Sequence, residues 1–270
     1  MSKTVGIIPA RWNSTRFPGK PLHLIDGKPL LKFVWERCLR AKSLDLVVIA
    51  TDDMRIASAA FEWGAEVAMT SPRHRTGTNR AAEVARKTTQ FAYVINVQGD
   101  EPLIDPRLID KIVEKLQSDR KVEIVTAAHP FKNQADAFSP HQVKVVLDLR
   151  GNALYFSRAA IPAPPTDRRV TSASSQSNRS AKMPMLRTRH PLFLRHQGVY
   201  GFRRETLLQF VRWKPSPLER AESLEQLRAL ENGVTVHVLV TATGSPGIDT
   251  PEDATTLEQK LARANRRMSS

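Results

Sequence analysis

Through the first 118 residues, short apolar runs alternate with longer stretches whose apolar positions recur every three or four residues. Residues 4–10 (TVGIIPA), 44–51 (LDLVVIAT), 65–70 (AEVAMT) and 92–100 (AYVINVQGD) have the length and β-branched content of buried strands. Residues 29–41 (PLLKFVWERCLRA), 54–64 (MRIASAAFEWG), 77–88 (GTNRAAEVARKT) and 105–117 (DPRLIDKIVEKLQ) have helical spacing. Gly64 is a stop signal, and Pro29 is tolerated at the start of its helix. This order predicts an α/β fold: a mostly parallel, Rossmann-like sheet with helices on both faces. In such sheets ligands sit at the carboxyl ends of the strands. Polar clusters fall at those ends: RWNSTRFPGK after the first run, then TDD, SPRHRTGT and QGDEP.

The pattern then changes. Residues 142–157 (QVKVVLDLRGNALYFS) predict two strands around an Arg-Gly turn, and 192–203 (LFLRHQGVYGFR) a further strand. Helices are predicted over 204–213 and 216–233, a strand over 234–241 and a closing helix over 250–267. We expect one domain. The alternating part covers about 1–130 and 234–265, and a smaller mixed α+β lobe covers about 131–233. Within that lobe, residues 163–191 have no apolar period and are rich in Pro, Ser and Arg. They read as a surface insertion without fixed structure.

Composition narrows the class. There is one cysteine, Cys38, on the apolar side of a predicted helix, so an internal disulfide is excluded and a buried thiol is expected. No run reaches the length of a membrane span and the start lacks a signal-peptide pattern, so a cytoplasmic protein without membrane insertion is expected. Forty-one Lys and Arg against 27 Asp and Glu leave a net charge of +14, which favours anionic partners without choosing among them. A basic nucleic-acid-binding protein would share that charge. No recognition motif is present, however, and aromatic residues are only 6%, too few for an evident stacking platform.

The candidate chemistry lies in the polar clusters. Arg11, Ser14, Arg16 and Lys20 crowd positive charge and a hydroxyl just past a buried strand, in a loop that is neither a P-loop nor G-x-G-x-x-G. It reads either as a solvated basic loop or as a binding loop for phosphates. Asp100 ends a strand, and Asp249 lies in a Gly/Pro loop before a helix. Two such carboxylates suit Mg²⁺ completed by phosphate oxygens, although Asp249 followed by Thr250 and Pro251 also reads as a helix cap. Thr76, Gly77 and Thr78 open a helix as a cap or as an anion site. His196 and Tyr200, four apart on a strand, share one face. Glu219, Glu222 and Glu225 share a helical face, which is more often solvated than functional.

In combination these segments resemble the 3-deoxy-D-manno-octulosonate (KDO) cytidylyltransferases. The motifs are IIPARWNSTRFPGKPL, ATDD, HRTGTNRAAE, NVQGDEP, VKVVLD, ALYFSRAAIP, RHQGVYGFR, PSPLERAESLEQLR and GIDTPED, and the resemblance spans about residues 4–258. It implies transfer of CMP from CTP to KDO for lipopolysaccharide synthesis, with Mg²⁺ as cofactor and a homodimer as the assembly. It places Arg11, Ser14, Arg16, Lys20, Thr76, Gly77, Thr78, Arg80 and Asp100 around the nucleotide. Arg11, Lys20, Asp100 and Asp249 carry the chemistry, with Asp100 and Asp249 on the metal. Gln98, Arg158, His196, Tyr200, Glu225 and Gln226 face the sugar acid. A cytidylyltransferase for another acidic sugar, such as 8-amino-KDO or a nonulosonate, is the alternative. Two departures stand out: Asn79 where the family commonly has an acid, and the extra length between Arg158 and His196.

Overall fold

The computed structural model describes residues 2–13, 17–163 and 193–268. The expected insertion therefore lies outside the described residues except for Ala163. Strand β1 (Lys3–Ala10) leads through a 3₁₀ turn at Lys20–Leu22 and a two-residue hairpin, β2 (Leu24–Ile25) and β3 (Lys28–Pro29), into α1 (Leu30–Leu39). Then follow β4 (Leu46–Thr51), α2 (Met54–Glu62), β5 (Glu66–Met69), α3 (Gly77–Lys87), β6 (Phe91–Asn96) and α4 (Pro106–Ser118). The second half contains β7 (Ile124–Pro130), β8 (Lys144–Leu147), β9 (Ala153–Ser157), β10 (Leu194–Arg203), α5 (Arg204–Phe210), α6 (Pro217–Glu222), α7 (Leu227–Glu231), β11 (Val236–Val240) and α8 (Pro251–Met268).

The main sheet runs β11-β7-β10-β6-β1-β4-β5, with the β8–β9 hairpin attached to β10. β1 pairs in parallel with β4 and β6, β4 with β5, and β7 with β11. β10 runs against its neighbours β6 and β7, and β8 runs against both β10 and β9. Strand alternation builds two cores. Val5 and Ile7 of β1 and Val48 and Ala50 of β4 pack on one face with α3 and α5, while Ile8 and Ala10, Val47 and Ile49 pack on the other with α1, α2 and α4. Ile95, fully buried, belongs to the second core, where truncation to alanine costs about 2–5 kcal/mol. Cys38 lies in the same core, and burial pushes its thiol up to about 12, which suits a structural role.

Two departures from the sequence reading concern the second half. Residues 124–130 were not expected as an element, yet they form β7 between β10 and β11. Their β-branched start, Ile124-Val125-Thr126, is a strand signal. The helix expected over 216–233 is two helices. A capping box at Ser216 and Glu219 opens α6, and Ser223, at φ 54°, ends it. The break has a tertiary cause: the carbonyls of Glu222 and Ser223 accept from the guanidinium of Arg158, through Nε at 2.9 Å and Nη2 at 3.5 Å.

Candidate active site

A cavity of about 400 Å³ opens where the carboxyl ends of β1 and β6 meet the amino end of α3. That volume is within the range of small-molecule sites, roughly 300–1,000 Å³. Its walls come from six separated stretches. Pro9 to Arg11 and Lys20 to Pro21 form one side. His74 to Gly77 with Arg80, and Gln98 to Asp100, form the floor. Ser223 and Glu225 come from the α6–α7 break, and Asp249 from the loop before α8. Gly77 is needed for a close approach, since a Cβ there would stand 2.9 Å from Pro9 Cγ and 3.1 Å from Gln98 Oε1. Gly19, at φ 70°, turns the chain into the 3₁₀ segment that carries Lys20.

The electrostatic centre is Lys20. Its Nζ donates to Asp100 Oδ2 at 2.6 Å and to the carbonyl of Ile248 at 2.9 Å, and lies 3.9 Å from Asp249 Oδ1. Ile248 is the hinge of this arrangement. It is buried against Phe17, Leu30 and Leu257, and its N–H donates to the Asp100 carbonyl at 2.9 Å. The helix-cap alternative for Asp249 is resolved by its neighbours. Thr250 Oγ1 accepts from Asp253 N at 3.2 Å, and Asp253 Oδ2 accepts from Thr250 N at 2.9 Å, a reciprocal capping box. Thr250 and Asp253 thus cap α8, and Asp249 lies on the cavity wall.

The Thr76 hydroxyl accepts from Asn79 N at 3.2 Å, capping α3, and the residue also lines the cavity. Thr78 is buried and its hydroxyl donates to Glu225 Oε1. Burial raises the Glu225 carboxyl while these threonine bonds oppose the rise. Arg80 reaches the cavity wall, but its guanidinium is held 3.2 Å from Asp52 Oδ1 and donates to Thr70. Beside Asp100, Glu101 is buried, and burial together with the Asp100 charge pushes its carboxyl up to about 8.

Of the residues assigned to the sugar acid, Gln98 and Glu225 line this cavity. Tyr200, Glu225 and Gln226 line a smaller void of about 10 Å³ behind it. His196 is partly buried beside them, its ring 5.4 Å from Tyr200 and 5.1 Å from Phe156. The shared face is preserved across an irregularity in β10, where the register with β7 steps from Gln197 to Tyr200. Burial drives His196 down to about 3, so the ring is neutral. Thr126 Oγ1 gives its proton to the Val199 carbonyl at 2.8 Å, so His196 Nε2, at 3.0 Å, donates to Thr126. Arg158 does not line the cavity. It donates to the carbonyls of Glu222, Pro140 and Ser223, and its own N–H donates to Glu222 Oε2 at 2.8 Å. Ser14 and Arg16 lie outside the described residues.

Sequence reasoning did not single out His74, Arg75 or Ser223, all on the cavity wall. The first two had a legible signal, adjacency to Thr76 in a loop at the sheet's carboxyl edge. Ser223 had none, because its place depends on a helix break imposed by Arg158.

Known proteins are similar to this chain over nearly its full length. A family model described as cytidylyltransferase matches residues 5–236. The 3-deoxy-manno-octulosonate cytidylyltransferase of Geobacter metallireducens is 44% identical over 261 residues, 97% of this chain and 98% of that protein. That of Marinobacter nauticus is 44% identical over 270 residues, 99% of this chain and all of the other. A solved CMP:2-keto-3-deoxy-manno-octonic acid synthetase complexed with CTP has a TM-score of 0.84 at 36% identity, covering 97% of this chain and 100% of that one.

Proposed function

The chain belongs to the cytidylyltransferase family, and from that premise we propose that it transfers CMP from CTP to the anomeric hydroxyl of KDO. The observation that carries this reading is the convergence of Lys20, Asp100, Asp249, Thr76, Gly77 and Glu225 on one cavity. The hydroxyl oxygen attacks the α-phosphorus, the bond from phosphorus to the bridging oxygen of pyrophosphate breaks, and the hydroxyl proton passes to water. No covalent protein intermediate is required. Rate comes from positioning and from charge placed where negative charge develops.

The chain's own groups divide that work. Arg11 and Lys20 face the triphosphate, Lys20 as a point charge fixed by Asp100 and the Ile248 carbonyl. The amino end of α3 offers unpaired N–H groups to an anion. Gly77 lets the nucleotide approach the backbone, and Gln98 and Glu225 offer polar atoms to the sugar acid. Asp100 and Asp249 fit a hard cation, because an ammonium already sits between their oxygens, and two carboxylates are what Mg²⁺ takes when phosphate and water complete its shell. Mg²⁺ bound there supplies Lewis-acid stabilisation of the phosphoryl oxygens and the leaving group. We further propose that the protein works as a cytoplasmic homodimer and that its product feeds lipopolysaccharide synthesis.

The test is direct. With CTP, Mg²⁺ and KDO, pyrophosphate and CMP-KDO should appear in equal amounts. Release that does not need the sugar, or release with a nonulosonate but not with KDO, overturns the reading.

A further inference from the structure

We infer that Lys144 is a positioning residue for the sugar-acid half of the site, acting through Arg158 and the α6–α7 break; the inference rests on the reaction proposed above. Lys144 is on β8 with no exposed surface. Its Nζ donates to the carbonyls of Ser139 at 2.9 Å, Gln142 at 2.6 Å and Arg158 at 2.5 Å. An ammonium has three N–H donors, so each is used on a main-chain oxygen. Desolvation pulls its pKa down, and the charge of Glu222 opposes that. A buried lysine spent wholly on backbone carbonyls acts as a crosslink between segments.

The segments it joins lead, through Arg158, to the cavity wall at Ser223. Arg158, whose carbonyl Lys144 holds, returns its guanidinium to the carbonyls of Pro140, Glu222 and Ser223. Glu222 closes the loop by accepting from Ser157 Oγ at 2.6 Å and from Arg158 N at 2.8 Å. Residues 139–142, 157–158 and 222–223 are therefore one knot with Lys144 inside it. Ser223 leaves the knot in the left-handed conformation, and Glu225 and Gln226 follow directly. By contrast, Lys20, Asp100 and Asp249 are tied to one another through Ile248. Loss of Lys144 should thus displace Arg158, Ser223 and Glu225 and leave the phosphate end in place. A lysine that only stabilised the fold would affect both substrates alike.

The experiment is Lys144→Met in the full chain. A displacement of about 1 Å can cost up to roughly 100-fold, so KM for KDO should rise at least about tenfold. The dissociation constant for CTP, measured by calorimetry, should change by less than about twofold. Amide exchange should accelerate in residues 222–226 and stay unchanged at Ile248, whose N–H is held by the Asp100 carbonyl. If Lys144→Met does not fold, Glu222→Gln, which keeps Lys144 and its carbonyls, should show the same split at smaller size. Equal loss for both substrates, an unchanged KM for KDO, or exchange in 222–226 that matches wild type would overturn the inference. If wild type itself fails to use KDO, the reaction reading fails instead, and the exchange measurement still decides the role of Lys144.

Discussion

The proposed phosphate end of the cavity and the network that leads to its proposed sugar-acid end are built on opposite plans. At the phosphate end, charged side chains from distant loops meet one another: Lys20 on Asp100, with Asp249 3.9 Å away. At the other end, charged side chains are consumed by the main chain: Lys144 on three carbonyls and Arg158 on three more. The first arrangement can exchange partners when a triphosphate arrives, because side-chain ion pairs reform at small cost in partly wet surroundings. The second cannot give up its bonds so freely, because the Lys144 ammonium, on a side chain with no exposed surface, would lose three partners. One end is therefore built to respond to charge and the other to hold shape.

The sharpest way to break the comparison is Asp100→Asn. The amide removes the charge that answers both Lys20 and a hard cation, so turnover should fall by about 1,000-fold or more. Thermal midpoint should stay near wild type, because the neutral side chain keeps its volume. Near-normal turnover at moderate Mg²⁺ would mean that the phosphate end does not work through charge.

His196 tests the shape-holding end through pH. Its ring titrates at about 3 when folded against 6.5 for the ordinary group, because burial penalises the charged form. The unfolded chain therefore takes up a proton in this window and the folded chain does not. Stability is fully present above about pH 6.5 and is lost as pH falls towards about pH 3. Between about pH 7 and about pH 4.5 the loss should be roughly 2–3 kcal/mol, read from urea midpoints. His196→Gln should flatten that slope, and an unchanged slope would remove His196 from the explanation.

Arg158→Ala sharpens the comparison further. It should raise KM for the sugar acid by about tenfold and leave CTP affinity within about twofold. Calorimetry with CTP alone would show an equal loss if the two ends were not separable. The smallest effect is expected at Thr250→Ala, which removes one half of the α8 capping box for about 1 kcal/mol. A small drop in thermal midpoint with turnover preserved is expected; a large loss of turnover would mean that Asp249 depends on that cap.

The two ends also differ in how legible they are in the sequence. The parallel strands and the phosphate-end residues follow from local signals: an apolar run, then a polar cluster at its carboxyl end. Asp249 was ambiguous between cap and site, and it took the bonds of Thr250 and Asp253 to separate the two. At the sugar-acid end the deciding bonds go to main-chain oxygens, which have no residue identity. Nothing in PSPLERAESLEQLR announces a break at Ser223, since the cause is an arginine 65 positions away. Lys144 looks like any lysine in an edge hairpin, and its three acceptors leave no mark on composition. Strand β7 is a different kind of miss, a readable β-branched run overshadowed by the helix before it.

The route of the chain through the cavity has a consequence for biosynthesis. The walls begin at Pro9 and are completed by Asp249, and Ile248 is what fastens the last wall to Asp100 and Lys20. A nascent polypeptide that has emerged only through β11 holds every strand of the sheet and still lacks part of its phosphate end. The complete phosphate end therefore forms only once that final stretch is free, after every sheet strand among the described residues has emerged.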